Sequence, residues 1–244
     1  MVADALIYHP TVAHYLRFAA TTVGRDKVLR TLQYFARFYV WYRMRTNGTA
    51  AEIAPWEALR AQLTKGRKLL TAGKNVEHIK AAAVAAADPK LAAAAAAGEP
   101  LLRYATIGRQ MGYAGYLTLD LLLIPESLGV KPFANRSLAT RMRREAFRFW
   151  TIGLLFSVIA QTYTLRRLRA REAQIDRKDG EGVVESKRIA IERTASQLQL
   201  FSDVCDLTVT TSSLGWTAFD EGIVGLSGTV SSLIGLYNQW RKTA

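Results

Sequence analysis

Arg60, Arg67, Lys68 and Lys74 recur at helical spacing within residues 55–84, PWEALRAQLTKGRKLLTAGKNVEHIKAAAV. Wound at about 3.6 residues per turn, Arg60, Thr64, Arg67, Lys68, Thr71, Lys74 and His78 share one face. Cations in such a row attract phosphate, whether of lipid headgroups or of nucleic acid. Leu59, Leu63, Gly66, Leu70 and Gly73 form an apolar stripe. Leu69, Ala72, Val76, Ile79 and Ala83 form the stripe beside it. Lys65 and Lys80 lie in or near the apolar arc, where long stems carry the ammonium out to water. Glu77 is an acidic intruder. The pattern is a basic amphipathic helix, as expected of a helix lying in a membrane interface. A surface helix packed on its own core has the same periodicity. The membrane reading assigns Arg60, Lys65, Arg67, Lys68, Lys74 and Lys80 to headgroups. It assigns Leu59, Leu63, Leu69, Leu70, Val76 and Ile79 to the acyl boundary.

Other chemistry is scarce. There is no phosphate-cradling Gly-rich loop, no Cys/His metal spacing and no nucleophile motif. His9, His14 and His78 are far apart and read as surface or capping residues. Glu77-His78 lacks the second histidine that a zinc site needs. The single cysteine, Cys205, excludes an intrachain disulfide and reads as a small buried apolar group. The expectation is a protein that is not an enzyme, with no catalytic residue, metal or cofactor.

Composition narrows the partners. Half of the 244 residues are apolar, yet the formal net charge is +13. A chain both apolar and basic suits an anionic membrane surface or nucleic acid. Nearly all the positive excess lies in residues 1–165, and residues 166–221 are close to neutral. The start, MVADALIYHP, lacks the basic-then-apolar pattern of a signal peptide. The ending RKTA is not a Ser-Lys-Leu address.

The elements that must position these groups read as helices. Residues 13–23 and 26–45 are helical, the second with basic and aromatic residues interleaved around Tyr34, Arg37 and Trp41. Asn47-Gly48-Thr49 breaks the chain, and Pro55 falls in the first turn of the next helix. The alanine-rich residues 81–100 read as a linker. Residues 101–124 resume as helix, with Gly108, Gly112 and Gly115 about one turn apart, a spacing that lets another helix approach closely. Residues 149–165, FWTIGLLFSVIAQTYTL, carry no charge and form a candidate span, short for a bilayer of roughly 30 Å. Arginines flank both ends. Asp179-Gly180-Glu181-Gly182 reads as a loop, and residues 208–213 as extended or loop. Residues 222–240 form the second candidate span. Gly225, Gly228, Ser232 and Gly235 share one face there, as Gly153, Ser157 and Ala160 do in the first. Small stripes of this kind let helices meet in lipid.

The fold class expected is all-α: a membrane-associated helical bundle with amphipathic helices and one or two transmembrane helices. It divides into a basic N-terminal region (1–148, with the linker at 81–100), a span (149–165), a charged loop and helix (166–221), a second span (222–240) and a basic tail (241–244). A channel would line the spans with Gln161, Thr162, Thr164, Thr229, Ser231 and Ser232. A nucleic-acid binder would use the face of Tyr34, Arg37 and Trp41, the weakest of the readings.

Several stretches resemble the fungal branch of the peroxisomal biogenesis factor 11 family. They are residues 1–42 (MVADALIYHPTVAHYLRFAATTVGRDKVLRTLQYFARFYVWY), GKNVEHIKAAAVAA, IGRQMGYAGYLTLD, FWTIGLLFSVIA and DEGIVGLSGTVSSLIGLYNQWRK. The likeness is specific at Gly24-Arg25-Asp26-Lys27 with Arg30, Gln33 and Tyr34, and in the C-terminal span. It implies a peroxisomal membrane protein that elongates and tubulates that membrane before fission. It also implies homo-oligomers, a membrane-protein import receptor, and a connection to a dynamin-like GTPase and its tail-anchored adaptor. In this family a basic helix inserts in one leaflet, here residues 56–84, and a channel for small metabolites is the alternative role. Gly66 and Gly73 depart from a good helix, each costing about 1 kcal/mol relative to Ala. The segment is therefore expected to complete its helix on lipid.

Overall fold

The computed structural model describes residues 9–96, 99–130, 133, 136–175 and 180–244. Among these every regular element is a helix: α1 (Pro10–Ala20), α2 (Thr22–Arg45), α3 (Ala50–Thr71), α4 (Lys74–Ala87), α5 (Pro89–Ala96), α6 (Leu101–Leu122), α7 (Ile124–Ser127), α8 (Arg136–Ala173), α9 (Gly180–Ser213) and α10 (Glu221–Lys242). The all-α expectation holds.

Neighbours in space follow the order α3, α2, α10, α9, α8, α6, α4, and α4 continues from α3. The ring is thereby closed. Ion pairs and bonds set the directions. Asp26 meets Arg67, and Arg43 meets Glu52, so α2 and α3 are antiparallel. Ser157 meets Asp203, and Glu172 meets Arg193, so α8 and α9 are antiparallel.

The small stripes make the closest contacts. A Cβ on Gly112 would stand 2.5 Å from the Cα of Gly153, backbone against backbone. Gly225 lies against the Phe38 backbone, and Gly228 against the Tyr34 ring. Gly235 lies against the Lys27 side chain. Ser157 and Ser232 are fully buried, and Ala160 is buried. These residues pack α8 on α6 and α9, and α10 on α2. They join helices of one chain, where they also serve the close approach anticipated for Gly108, Gly112 and Gly115.

Several boundaries differ from expectation, each for a local reason. The helix expected at residues 55–84 is two helices. Ala72 leaves the helix and Gly73 takes φ +81°, a left-handed turn that favours glycine. α3 starts at Ala50, because Thr49 and Glu52 form a capping box, and Pro55 lies inside the helix instead of in its first turn. The alanine-rich stretch expected as a linker carries the end of α4 and all of α5, as alanine's propensity favours. Residues 208–213 are helical, against expectation. Thr208, Thr211 and Ser213 return their hydroxyls to carbonyls one turn back, and Val209 and Thr210 are buried. The expected loop at 179–182 begins outside the described residues, and Gly180–Gly182 already belong to α9.

Both candidate spans are helical, 149–165 in the middle of α8 and 222–240 within α10. Among the described residues no helix is long and apolar enough to cross a membrane. Hydropathy along the helix therefore lends the spans no support. The packing residues explain the low averages: Thr151, Gly153, Ser157, Gly225, Gly228, Ser231 and Ser232 spend one face on neighbouring helices.

The two kinds of glycine give opposite expectations. Gly112→Ala forces apart two backbones with no side chain to yield, and is expected to destabilise the bundle by about 2 kcal/mol. Gly66 has nothing within 4 Å of a built Cβ, so Gly66→Ala is expected to stabilise by roughly 0.5–1 kcal/mol. Denaturation in mild detergent, read by circular dichroism, checks both signs.

Candidate functional site

The helices turn their charged faces toward one another. A polar cleft of about 650 Å³ lies between them, lined by residues from α2, α3, α4, α6, α8, α9 and α10. At its centre Arg30, 4 % exposed, donates to Asp206 (2.6 Å) and to Ser231 (3.0 Å). Ser231 in turn donates to Asp206 (2.5 Å). The Arg30 guanidinium also lies over the Tyr34 and Trp150 rings. One cation thus ties α2 to α9, α10 and α8. Burial acts to lower the Arg30 pKa, and Asp206, with Tyr34 and Asp26 beside it, more than offsets that, so the charge is kept.

The basic face of residues 55–84 turns into this interior. Arg67 donates to Asp26 (2.9 Å) and Gln33 (2.6 Å), and Gln33 donates to Thr64 (2.8 Å). Lys68 pairs with Asp120 of α6. Asn75 donates to Thr118, and His78 bonds Gln110 (2.7 Å). Lys74 lines the cleft, Lys65 is half-buried and Lys80 is exposed. Arg60 reaches Glu221 at 3.9 Å near the surface. The structure therefore brings Arg67, Lys68 and Lys74 together with carboxylates and amides, and leaves Lys80 outside that group.

The apolar face points the other way. Leu69 is 52 % exposed, Val76 64 % and Ile79 50 %, with Leu59 also exposed. Leu63 and Leu70 are half-buried. The same holds around the bundle. Val28, Leu32 and Phe35 of α2, Ile152, Leu155 and Ile159 of α8, and Ile223, Leu226 and Leu233 of α10 are all exposed. An apolar core of Tyr34, Trp150, Leu154, Val209 and Val224 packs beside the polar cleft, and the large aliphatics left on the outer surface are more than a water-soluble domain usually shows.

Of the candidate lining residues read from the spans, Ser231 reaches the cleft through Arg30 and Asp206, and the others do not line it. Ser231 and Ser232 are buried and bonded, and Thr229 returns its hydroxyl to Gly225. Gln161 and Thr164 are half-buried, and Thr162 is exposed. The cleft is lined instead by residues that helical patterning alone does not single out, among them Arg109, Gln110, Tyr113, Gln199 and Asp203. Their signal was a polar residue on the small-residue side of otherwise apolar helices. Asp203 is fully enclosed; burial pushes its carboxyl up, and bonds from Ser157 and Gln199 oppose that.

The histidine and cysteine expectations meet specific neighbours. His9 accepts from the Thr11 amide at the start of α1, and His14 bonds the Trp240 carbonyl. Cys205 is buried. Among the described residues no group of three His, Cys, Asp or Glu could hold a metal ion.

Lys27 keeps part of its surface toward the cleft, yet the helices around it enclose its ammonium. Burial, then the neighbouring Arg30 charge, pushes its pKa down from 10.5 to about 8. The folded state disfavours the proton, so the folding cost is full below pH 8 and fades as pH rises toward 10.5. Between pH 7 and 10 the protein is expected to gain about 2 kcal/mol from this residue. Lys27→Met should abolish that gain, as read by denaturation in detergent at each pH.

With the geometry in place, relatives give it a context. The family model "Peroxisomal biogenesis factor 11" matches residues 12–240. The Saccharomyces cerevisiae protein named peroxisomal membrane protein PMP27 is 30 % identical, with all of both chains covered. The Candida boidinii protein named peroxisomal membrane protein PMP30A is 25 % identical over all of this chain and 99 % of its own. The human protein named peroxisomal membrane protein 11B is 21 % identical over 91 % of this chain and 94 % of its own. No solved structure matches the chain. This chain belongs to the peroxisomal biogenesis factor 11 family of peroxisomal membrane proteins.

Proposed function

We propose that the chain remodels the peroxisomal membrane, elongating and tubulating it ahead of fission, by seating its apolar outer face among lipids. The observation that carries this is the inverted surface: Leu59, Leu69, Val76 and Ile79 exposed on α3 and α4 while Arg67 and Lys68 are paired within. In this reading α3–α4 enters one leaflet apolar face first and expands it. That favours positive curvature. The segment does not arrive as a free helix led by all its cations, because α2 holds Arg67 and α6 holds Lys68. Lys80 and Arg60, nearer the surface, meet anionic headgroups, where each is worth about 1 kcal/mol.

The spans belong to the same proposal. On α8 one outward row runs Arg141, Arg144, Arg148, Ile152, Leu155, Ile159, Thr162, Arg166, Arg169, all exposed. The rise from Arg148 to Arg166 is about 27 Å, against roughly 30 Å of hydrocarbon. This row suits crossing with arginines at both headgroup levels. Homo-oligomers, which concentrate wedges along a tubule, then meet through outer faces, since the small stripes are occupied within the chain. The dynamin-like GTPase, its adaptor and the import receptor stay with what the family resemblance implies.

A second reading, a channel for small metabolites, is favoured by the cleft between the seven helices. It assigns passage to Lys27, Arg109, Gln110 and Gln199.

Purified full-length protein with anionic vesicles is expected to draw tubules. Leu59→Gln, Leu69→Gln, Val76→Gln and Ile79→Gln together are expected to reduce tubulation about tenfold or more while circular dichroism holds. Unchanged tubulation contradicts the wedge. Arg67→Ala with Lys68→Ala is expected to loosen the bundle itself. Conductance in a planar bilayer that falls with Arg109→Leu and Gln110→Leu, and survives the outer-face variant, would favour the channel.

A further inference from the structure

The N-terminal turns of α8 gather Arg136, Thr140, Arg141, Arg144, Glu145 and Arg148 along one open flank of the helix. This place is distant in sequence from the basic face of α3–α4 and separate from the interior cleft. Its cations are unequally engaged. Arg148 pairs with Glu145 (2.7 Å). Arg136, Arg141 and Arg144 have no carboxylate within 4.0 Å among the described residues, and all three are exposed. Arginines gathered on one flank of a helix repel one another unless an anion joins them, and the planar fork of arginine matches a phosphate.

The same helix row supplies a second requirement. Arg141, Arg144 and Arg148 are followed, at steps of four and three, by the exposed Ile152, Leu155 and Ile159. An anionic head bound at the arginines would have its tail laid along these aliphatics. A free phosphate would use only the first half of the row. The ligand that fits both halves is amphiphilic, with a phosphate head and acyl chains.

We propose that this α8 surface is a binding site for a single anionic phospholipid, its phosphate held by Arg136, Arg141 and Arg144 and its chains on Ile152, Leu155 and Ile159. The inference rests on the membrane reading given above, but uses residues apart from the α3–α4 wedge. The site makes the protein selective among lipids, where a wedge alone needs only a surface to enter.

The test uses the full chain reconstituted in phosphatidylcholine vesicles with and without phosphatidic acid, followed by gentle detergent extraction and quantification of retained lipid. Carbonate extraction of the same vesicles is run in parallel. The wild type is expected to stay in the membrane and to retain phosphatidic acid over phosphatidylcholine. Arg136→Gln, Arg141→Gln and Arg144→Gln together are expected to stay in the membrane yet lose that preference by on the order of tenfold to a hundredfold. The charge-matched set Arg25→Gln, Lys187→Gln and Lys242→Gln, all exposed positions, is expected to keep it. Water-soluble glycerol phosphate is expected not to displace the lipid. Equal retention by the triple variant, or equal loss in the control set, overturns the site while leaving the membrane reading intact. Displacement by glycerol phosphate overturns the lipid assignment in favour of a free phosphate ester. Wild-type protein released by carbonate overturns the membrane reading, and the site with it.

Discussion

Arg30 sits almost fully enclosed between four helices, and its charge is kept because Asp206, Ser231 and two aromatic rings meet it there. Leaving a buried cation without its carboxylate costs several kcal/mol, so these helices are bound to one arrangement. The pairs Arg67–Asp26 and Lys68–Asp120 extend that constraint to α3 and α6. Once the polar faces are committed inward, the bundle encloses only part of the aliphatic surface, around Leu154, Val209 and Val224, and leaves the rest outward. The exposed leucines, isoleucines and valines of α2, α4, α8 and α10 follow from the ion pairs as much as from their own chemistry. The glycine and serine stripes allow the closure by bringing the backbones of α6 and α8, and of α2 and α10, near enough for the polar groups to meet.

The site and the fold are therefore not separate structures. A basic amphipathic helix serves a membrane in one of two ways. It lies alone with its cations at the headgroups, or it belongs to a bundle that keeps its cations inside. Residues 55–84 keep Arg67 and Lys68 paired inside the bundle, with a left-handed glycine, Gly73, setting the angle between the halves. Under the proposed function, insertion concerns a whole bundle surface, and curvature depends on how deep α3–α4 sits relative to α8 and α10.

Much of this was legible in the chain. The 3.6-residue period marked the two faces of residues 55–84. The small stripes marked the close helix contacts, and the motif Gly24-Arg25-Asp26-Lys27 with Arg30, Gln33 and Tyr34 marked the family. What periodicity left open was direction. A basic face opposite an apolar one looks the same whether the cations meet phosphates or Asp26 and Asp120, which lie 41 and 52 residues from their partners in sequence. Direction is set by long-range pairing, which a single helix does not display. The helical course of residues 208–213 was hidden for a related reason: threonines favour strands in isolation, and burial of Val209 and Thr210 overrides that. The break at Gly73 was visible only as a weak point in propensity, since glycine is tolerated inside a helix at Gly66.

The central claim is the inside-out arrangement, and spin-label accessibility in vesicles measures it. With Cys205→Ala as background, single cysteines would carry labels at Leu155, Val76 and Ile79 on the outer face and at Gln110 and Gln199 in the cleft. The three outer labels are expected to collide with oxygen dissolved in lipid and to be shielded from a water-soluble nickel chelate, while the two cleft labels show the reverse. Outer labels open to the chelate, with cleft labels exposed to lipid, would contradict the arrangement.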